Sequence, residues 1–122
     1  MNIKERSKYW ERCKDEANRI LKTLEIDEPD CSFYVGLGWM PVVEDALKKM
    51  IAVGWDRDLH QVKQKFAGLC IYIGHNNDEI RNIIAEAKLQ CYSLCEVCGK
   101  TRERKGIRTG WALCNACEKD ET

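Results

Sequence analysis

The sequence predicts an α+β fold: helices packed on a small antiparallel β-hairpin or sheet, with a ribbon-like cysteine module at the C-terminal end. Three observations carry that prediction. Three segments place apolar residues at helical spacing, two β-prone runs flank a short turn at Phe66-Ala67-Gly68, and two Cys-x2-Cys pairs follow after Leu94.

The first helical segment runs from Ile3 to about Glu25. It lacks Gly and Pro and is rich in Lys, Glu, Arg and Leu. Ile3, Trp10, Cys13, Ala17, Ile20, Leu21 and Leu24 form its apolar stripe, and Pro29-Asp30 marks its end. Cys31 to Val35 reads as a short extended piece, and Gly36-Leu37-Gly38-Trp39 as a turn. Pro41 suits the first position of a second helix, where its missing N–H costs nothing. Val42, Val43, Ala46, Leu47, Met50 and Ile51 give that helix a broad apolar face, and Gly54 stops it. Leu59–Lys65 and Leu69–Ile73 form the hairpin. Asn76 or Asn77 caps a third helix with Glu79 in its first turn and Ile80, Ile83, Ile84, Ala87, Leu89 and Cys91 on its buried side. The expected segments are 1–28 (N-terminal amphipathic helix), 29–92 (α+β core) and 93–119 (metal module). Only Tyr92-Ser93-Leu94 separates the third helix from Cys95, so the module is expected to pack on the core.

A chain of 122 residues fits one compact domain. Twenty basic side chains balance twenty acidic ones, so the whole-chain basic excess of many nucleic-acid binders is missing and any such role must rest on a local patch. The charged start resembles no secretory leader, and no apolar run reaches about 18 residues. The expected location is the cytoplasm, with no membrane partner. There, eight cysteines read as metal ligands or buried thiols before they read as disulfides.

Cys95-Glu96-Val97-Cys98-Gly99 and Cys114-Asn115-Ala116-Cys117 are separated by 15 residues between Cys98 and Cys114. Two residues between cysteines let the chain turn so that both sulfurs meet one ion at about 2.3 Å, and Gly after the second permits the close backbone approach. The expectation is one structural zinc ion on Cys95, Cys98, Cys114 and Cys117, in preference to unmetallated cysteines or an iron–sulfur centre. Four thiolates leave no open position for substrate. Between the pairs, residues 100–108 carry Lys100, Arg102, Arg104, Lys105 and Arg108 against one acid. This is a candidate basic finger for nucleic acid. Charge balance offers a slightly stronger reading, because zinc with four thiolates carries a net −2. Trp111 reads as a residue packed over the zinc turn.

Cys13, Cys31, Cys70 and Cys91 lie in apolar contexts and read as buried small hydrophobes. His60 and His75 have no catalytic partner at a recognisable spacing. No histidine lies between Cys95 and Cys117, which counts against an HNH-type nuclease, and the His-x-Glu pair of zinc deaminases is missing. Glu44-Asp45 and Asp56/Asp58 read as caps and solvated charges. Trp39 and Trp55 bracket the second helix. Both read as core or groove-lining residues, or as partner anchors if their rings are exposed.

Trp39-Met40-Pro41-Val42-Val43, Gly54-Trp55-Asp56, Gln61 to Leu69, Tyr72, Cys95-x2-Cys98-Gly99 and Gly110-Trp111-x-Leu113-Cys114-x2-Cys117 resemble a group of small proteins of bacteria, bacteriophages and other mobile elements that has no established activity. The resemblance covers about residues 36 to 117. Ala67 stands where that pattern commonly has Gly, and the Arg common near Cys70 is missing. The resemblance implies a mobile-element setting, in which small accessory proteins bind host proteins, including components of defence.

The expected function is therefore a non-enzymatic zinc protein that binds a host macromolecule, first of all as a regulator or inhibitor of a host protein. Nucleic-acid binding through the 100–108 finger, helped by Lys63, Lys65 and the basic residues of the first helix, is the second reading. A small enzyme or nucleotide binder, with a small-molecule pocket formed by the second helix and the hairpin, is the third.

Overall fold

A computed structural model describes residues 2–27, 31–102 and 113–120. The elements are α1 (Ile3–Thr23), β1 (Ser32–Tyr34), a 3-10 turn (Leu37–Trp39), α2 (Met40–Ala52), β2 (Leu59–Lys65), β3 (Gly68–Ile73), α3 (Asp78–Tyr92) and α4 (Asn115–Asp120). The expected α+β architecture is present.

Asn2 caps α1 by accepting the Glu5 backbone N–H at 2.9 Å, which satisfies one of the helix's orphan donors. The buried stripe is Tyr9, Cys13, Ala17 and Ile20. Of the expected stripe, Ile3 is exposed, whereas Trp10, Leu21 and Leu24 are partly buried and pack against the core. Tyr9, which the expected stripe did not include, is buried as well. Pro41 sits in the first turn of α2, which buries Met40, Val43, Ala46, Leu47 and Met50. Asn77 caps α3 through the Ile80 N–H at 2.9 Å. Leu89, expected on the buried side of α3, is exposed.

The sheet is mixed and has the order β1-β2-β3. β2 and β3 form the expected antiparallel hairpin, with Val62 opposite Ile71 and Lys65 opposite Gly68. β1 adds a short parallel strand, placing Phe33 beside Val62 and Tyr34 beside Lys63. The hairpin turn uses Phe66 (φ 52°) and Ala67 (φ 60°). Two consecutive left-handed residues match the twist of the flanking strands, a geometry usually given to Asn-Gly. Phe33, Val62, Leu69 and Ile71 face one core shared with α1, α2 and α3.

Candidate metal centre

The first cysteine turn begins at a single antiparallel bridge between Leu94 and Thr101. The Cys95 N–H donates to the Lys100 carbonyl at 2.7 Å, and the Gly99 N–H to the Cys95 carbonyl at 2.9 Å. Gly99 has φ +80°, the left-handed conformation that closes this turn without a Cβ penalty. The second pair is built differently. Cys114 immediately precedes α4 and Cys117 lies within it. The Cys117 backbone N–H is the leading cause that lowers the Cys114 thiol to about 7, whereas burial raises the Cys98 and Cys117 thiols.

The four Sγ atoms of Cys95, Cys98, Cys114 and Cys117 all lie within 4.8 Å of one another. The Cys98–Cys114 Sγ separation is 3.7 Å. A regular tetrahedron with arms of about 2.3 Å has edges of about 3.8 Å, so this spacing fits one four-coordinate ion, and it is far beyond the roughly 2.0 Å of a disulfide. The sequence pattern and the geometry therefore agree on a four-cysteine cluster able to hold a metal ion. Cys95 and Cys114 are buried, and Cys98 is exposed.

The first turn is bound into the core. The Gly38 N–H donates to the Glu96 carbonyl at 2.7 Å, and the Gly36 N–H to Glu96 Oε2 at 3.0 Å. Tyr9 Oη accepts from the Leu37 N–H at 2.8 Å and donates to the Val97 carbonyl at 3.1 Å. The Trp39 indole N–H donates to the Leu94 carbonyl at 3.0 Å. A Cβ at Gly36 would strike the Glu96 carbonyl, and one at Gly38 would strike the Cys95 carbonyl and the Gly99 nitrogen. Glycine is thus required by backbone-to-backbone contact at both positions. The sequence reads Gly36-Leu37-Gly38-Trp39 only as a turn, and no local pattern announces that it docks the metal turn.

Glu96 is 1% exposed, and its Oε1 has no hydrogen-bond partner among the described residues. Burial raises its carboxyl to about 7, against the Gly36 N–H, which lowers it.

The other candidate residues divide sharply. Arg102 does not project from a basic finger. It is 9% exposed, and its guanidinium donates to the carbonyls of Leu94 (2.9 Å), Ala67 (3.1 Å) and Cys91 (3.3 Å). Five donors on a rigid fork suit that task of joining three chain segments. Lys100 is exposed, while Arg104, Lys105, Arg108 and Trp111 lie outside the described residues. Trp39 and Trp55, at 0% and 3% exposure, are core residues, so neither presents a ring to a partner. Cys13 and Cys91 are buried, and burial pushes the Cys91 thiol up to about 12. His60 pairs with Asp58 at 3.2 Å and His75 with Asp56 at 3.0 Å; both histidines and Asp56 are exposed and Asp58 is partly so.

The expected pocket between the second helix and the hairpin is not where the described cleft lies. A cleft of about 660 Å³ opens between α1 and β1, lined among others by Trp10, Cys13, Ala17, Leu21, Phe33 and Tyr34. Trp10 and Tyr34 stack there, their ring centroids 4.6 Å apart and their planes 5° from parallel. Trp10 belongs to the apolar stripe of the first helix, but its pairing with Tyr34 has no sequence signal, because the two residues come from different elements.

Comparison with known proteins finds no matching family model, curated protein or solved structure. No helix among the described residues is long and apolar enough to cross a membrane.

Proposed function

We propose that this chain is a non-enzymatic, zinc-stabilised binding protein that recognises a partner protein of its host cell. Four thiolate donors at tetrahedral spacing favour zinc and fill its coordination shell, so the ion serves structure and has no open position for a reacting group. Cys95 to Cys98 would hold it from the turn that docks on Gly36-Leu37-Gly38, and Cys114 and Cys117 from the start of α4.

The observation that carries the recognition reading is the α1–β1 cleft. Its volume and its apolar and aromatic lining suit a buried anchor, and Arg6 and Lys14 on the rim outnumber Glu11. The matching partner segment presents an apolar or aromatic side chain flanked by acidic residues. The lining includes no histidine, and burial raises the Cys13 thiol, so the cleft is better equipped to bind than to catalyse. The resemblance to small bacterial and bacteriophage proteins supports a host protein as the target, and regulation or inhibition, including anti-defence action, as the outcome.

A photocrosslinking residue at Asn18, on the lining of the cleft, tests this in lysate of cells that produce the protein. The expected result is one discrete protein, captured despite nuclease treatment and lost with Phe33→Ala in protein that retains its metal. Capture that disappears with nuclease, or that survives Phe33→Ala unchanged, overturns the reading.

A further inference from the structure

The sheet has a second face that the core elements leave partly open: Trp10 of α1 covers its β1 edge and α3 approaches Gly68 at the hairpin end. Cross-strand partners share a face, so the register places Tyr34 with Lys63 and Gln61 with Tyr72, opposite to the buried Val62–Ile71 pair. Tyr34 from β1, Gln61, Lys63 and Lys65 from β2, and Cys70 and Tyr72 from β3 therefore point outward. None of the six is buried, and Tyr34 and Tyr72 are 59% and 42% exposed. Together with Ser32 these positions include two lysines and no carboxylate; Glu96 lines a cleft beside Ser32, Tyr34, Gln61 and Lys63 but is buried.

The arrangement is specific. Two strand spacings and a two-residue offset put Tyr34 and Tyr72 about 12 Å apart, so they cannot close on one another. Lys63 lies between them, its Nζ 5.5 Å from the Tyr72 ring centroid. Trp10 stacks on one face of the Tyr34 ring, which leaves the other face for a base. At the end of the hairpin, Lys65 Nζ lies 5.7 Å from the ring of Phe66, itself 67% exposed. A protein partner seeking apolar burial would find tyrosines, lysines and a glutamine, with no aliphatic side chain among the six. An unpaired polynucleotide finds what it needs: flat rings for its bases, ammonium groups for its phosphates, and Gln61 and Ser32 to hydrogen-bond base edges. A duplex would hide the base faces that these rings can meet. Zero net charge does not oppose this, because the footprint is local.

We propose that this open sheet face binds single-stranded nucleic acid, with bases stacked on Tyr34 and Tyr72 and phosphates held by Lys63 and Lys65. The site shares Tyr34 with the α1–β1 cleft, whereas Lys63, Lys65 and Tyr72 lie outside it, so variants at those three positions let the two readings fail separately.

The test is fluorescence anisotropy of the full-length, metal-loaded protein with labelled oligothymidylate and oligouridylate of about twelve nucleotides, over a salt series. Saturable binding is expected. Tyr72→Ala should weaken it at least about fivefold, the loss of one base stack. Lys63→Ala with Lys65→Ala should weaken binding to both oligonucleotides and flatten the salt slope by about one to two. Both variants should keep the parent's melting temperature and metal content. No saturable signal at about 100 μM protein, within the range of ordinary non-specific affinity, overturns the proposal. So does equal affinity for a duplex of the same length, binding that both variants retain, or binding lost with Lys100→Ala alone, which would place the contact on the metal loop. Loss of a captured protein in Tyr72→Ala, with no oligonucleotide bound by the parent, would assign the face to a protein instead.

Discussion

Gly38 donates its backbone N–H to the carbonyl of Glu96 at 2.7 Å, across a span of sequence that includes α2, the hairpin and α3. The contact leaves no room for a side chain, since a Cβ at Gly38 would meet the Cys95 carbonyl and the Gly99 nitrogen. Gly38→Ala should therefore destabilise the protein by about 2–4 kcal/mol and speed metal loss to a chelator, because the backbone obstacle cannot rotate away. Gly54→Ala is the matched control. Its φ of +94° strains any side chain, but nothing lies within 4 Å, so a cost of about 1 kcal/mol with unchanged metal retention is expected. Thermal melting and a colorimetric release assay read both quantities. Equal effects of the two substitutions would contradict the interlock.

Metal removal should reach the indole of Trp39. Its N–H is held by the Leu94 carbonyl, next to the first ligand, and its ring is fully buried. Chelation, or Cys98→Ser, should shift tryptophan emission to the red and lower the melting temperature of the whole domain. An unchanged emission maximum with the metal fully released would mean that the cysteine turn opens independently of the core.

Arg102 joins the end of α3, the hairpin turn and the metal turn through three backbone carbonyls. Arg102→Ala should cost about 2–4 kcal/mol, because buried carbonyls lose a charged donor and the Ala67 and Cys91 groups lose their guanidinium contacts. Denaturant unfolding measures this. The same variant should leave oligonucleotide affinity unchanged at temperatures where it stays folded, which separates a structural arginine from a phosphate-binding one.

Ala67 holds φ +60° in the hairpin turn. Ala67→Gly should raise stability by up to about 1 kcal/mol, the left-handed penalty less the added chain entropy. A lower unfolding midpoint would show that the Cβ of Ala67 contributes more by packing than its conformation costs.

Thiol titration should proceed in steps. In metal-loaded protein, Cys31 and Cys70, both partly exposed, should react first, and chelation should add the four cluster cysteines. Cys13 and Cys91, buried and with raised thiol pKa values, should react only on unfolding. Reaction of Cys91 in the native metal-loaded protein would contradict its placement.

Local chemistry explains which parts of this structure were legible in sequence. Asn77 before an apolar helix, Pro41 in a first turn and Cys-x2-Cys pairs each act over a few residues, and each appears where expected. Long-range contacts were not legible. Arg102 looked like one of several loop cations, and only its three distant carbonyls reveal it as buried. Tyr9 was not in the expected stripe, and its burial depends on distant partners: the Leu37 N–H donates to its hydroxyl, which donates to the Val97 carbonyl. β1 was too short to announce a parallel pairing, and the open sheet face required the register of all three strands.

The Gly36–Glu96 and Gly38–Glu96 contacts also bear on synthesis. A ribosome adds roughly 5–20 residues per second, so the segment holding Tyr9, Gly36 and Trp39 leaves the exit tunnel seconds before Cys95 to Gly99. During that interval its polar groups lack their final partners and Trp39 has no carbonyl for its indole. A nascent chain therefore keeps these groups in water until Cys95 to Gly99 emerge, and a premature stop just after Tyr92 should yield a product that cannot close its core around Trp39.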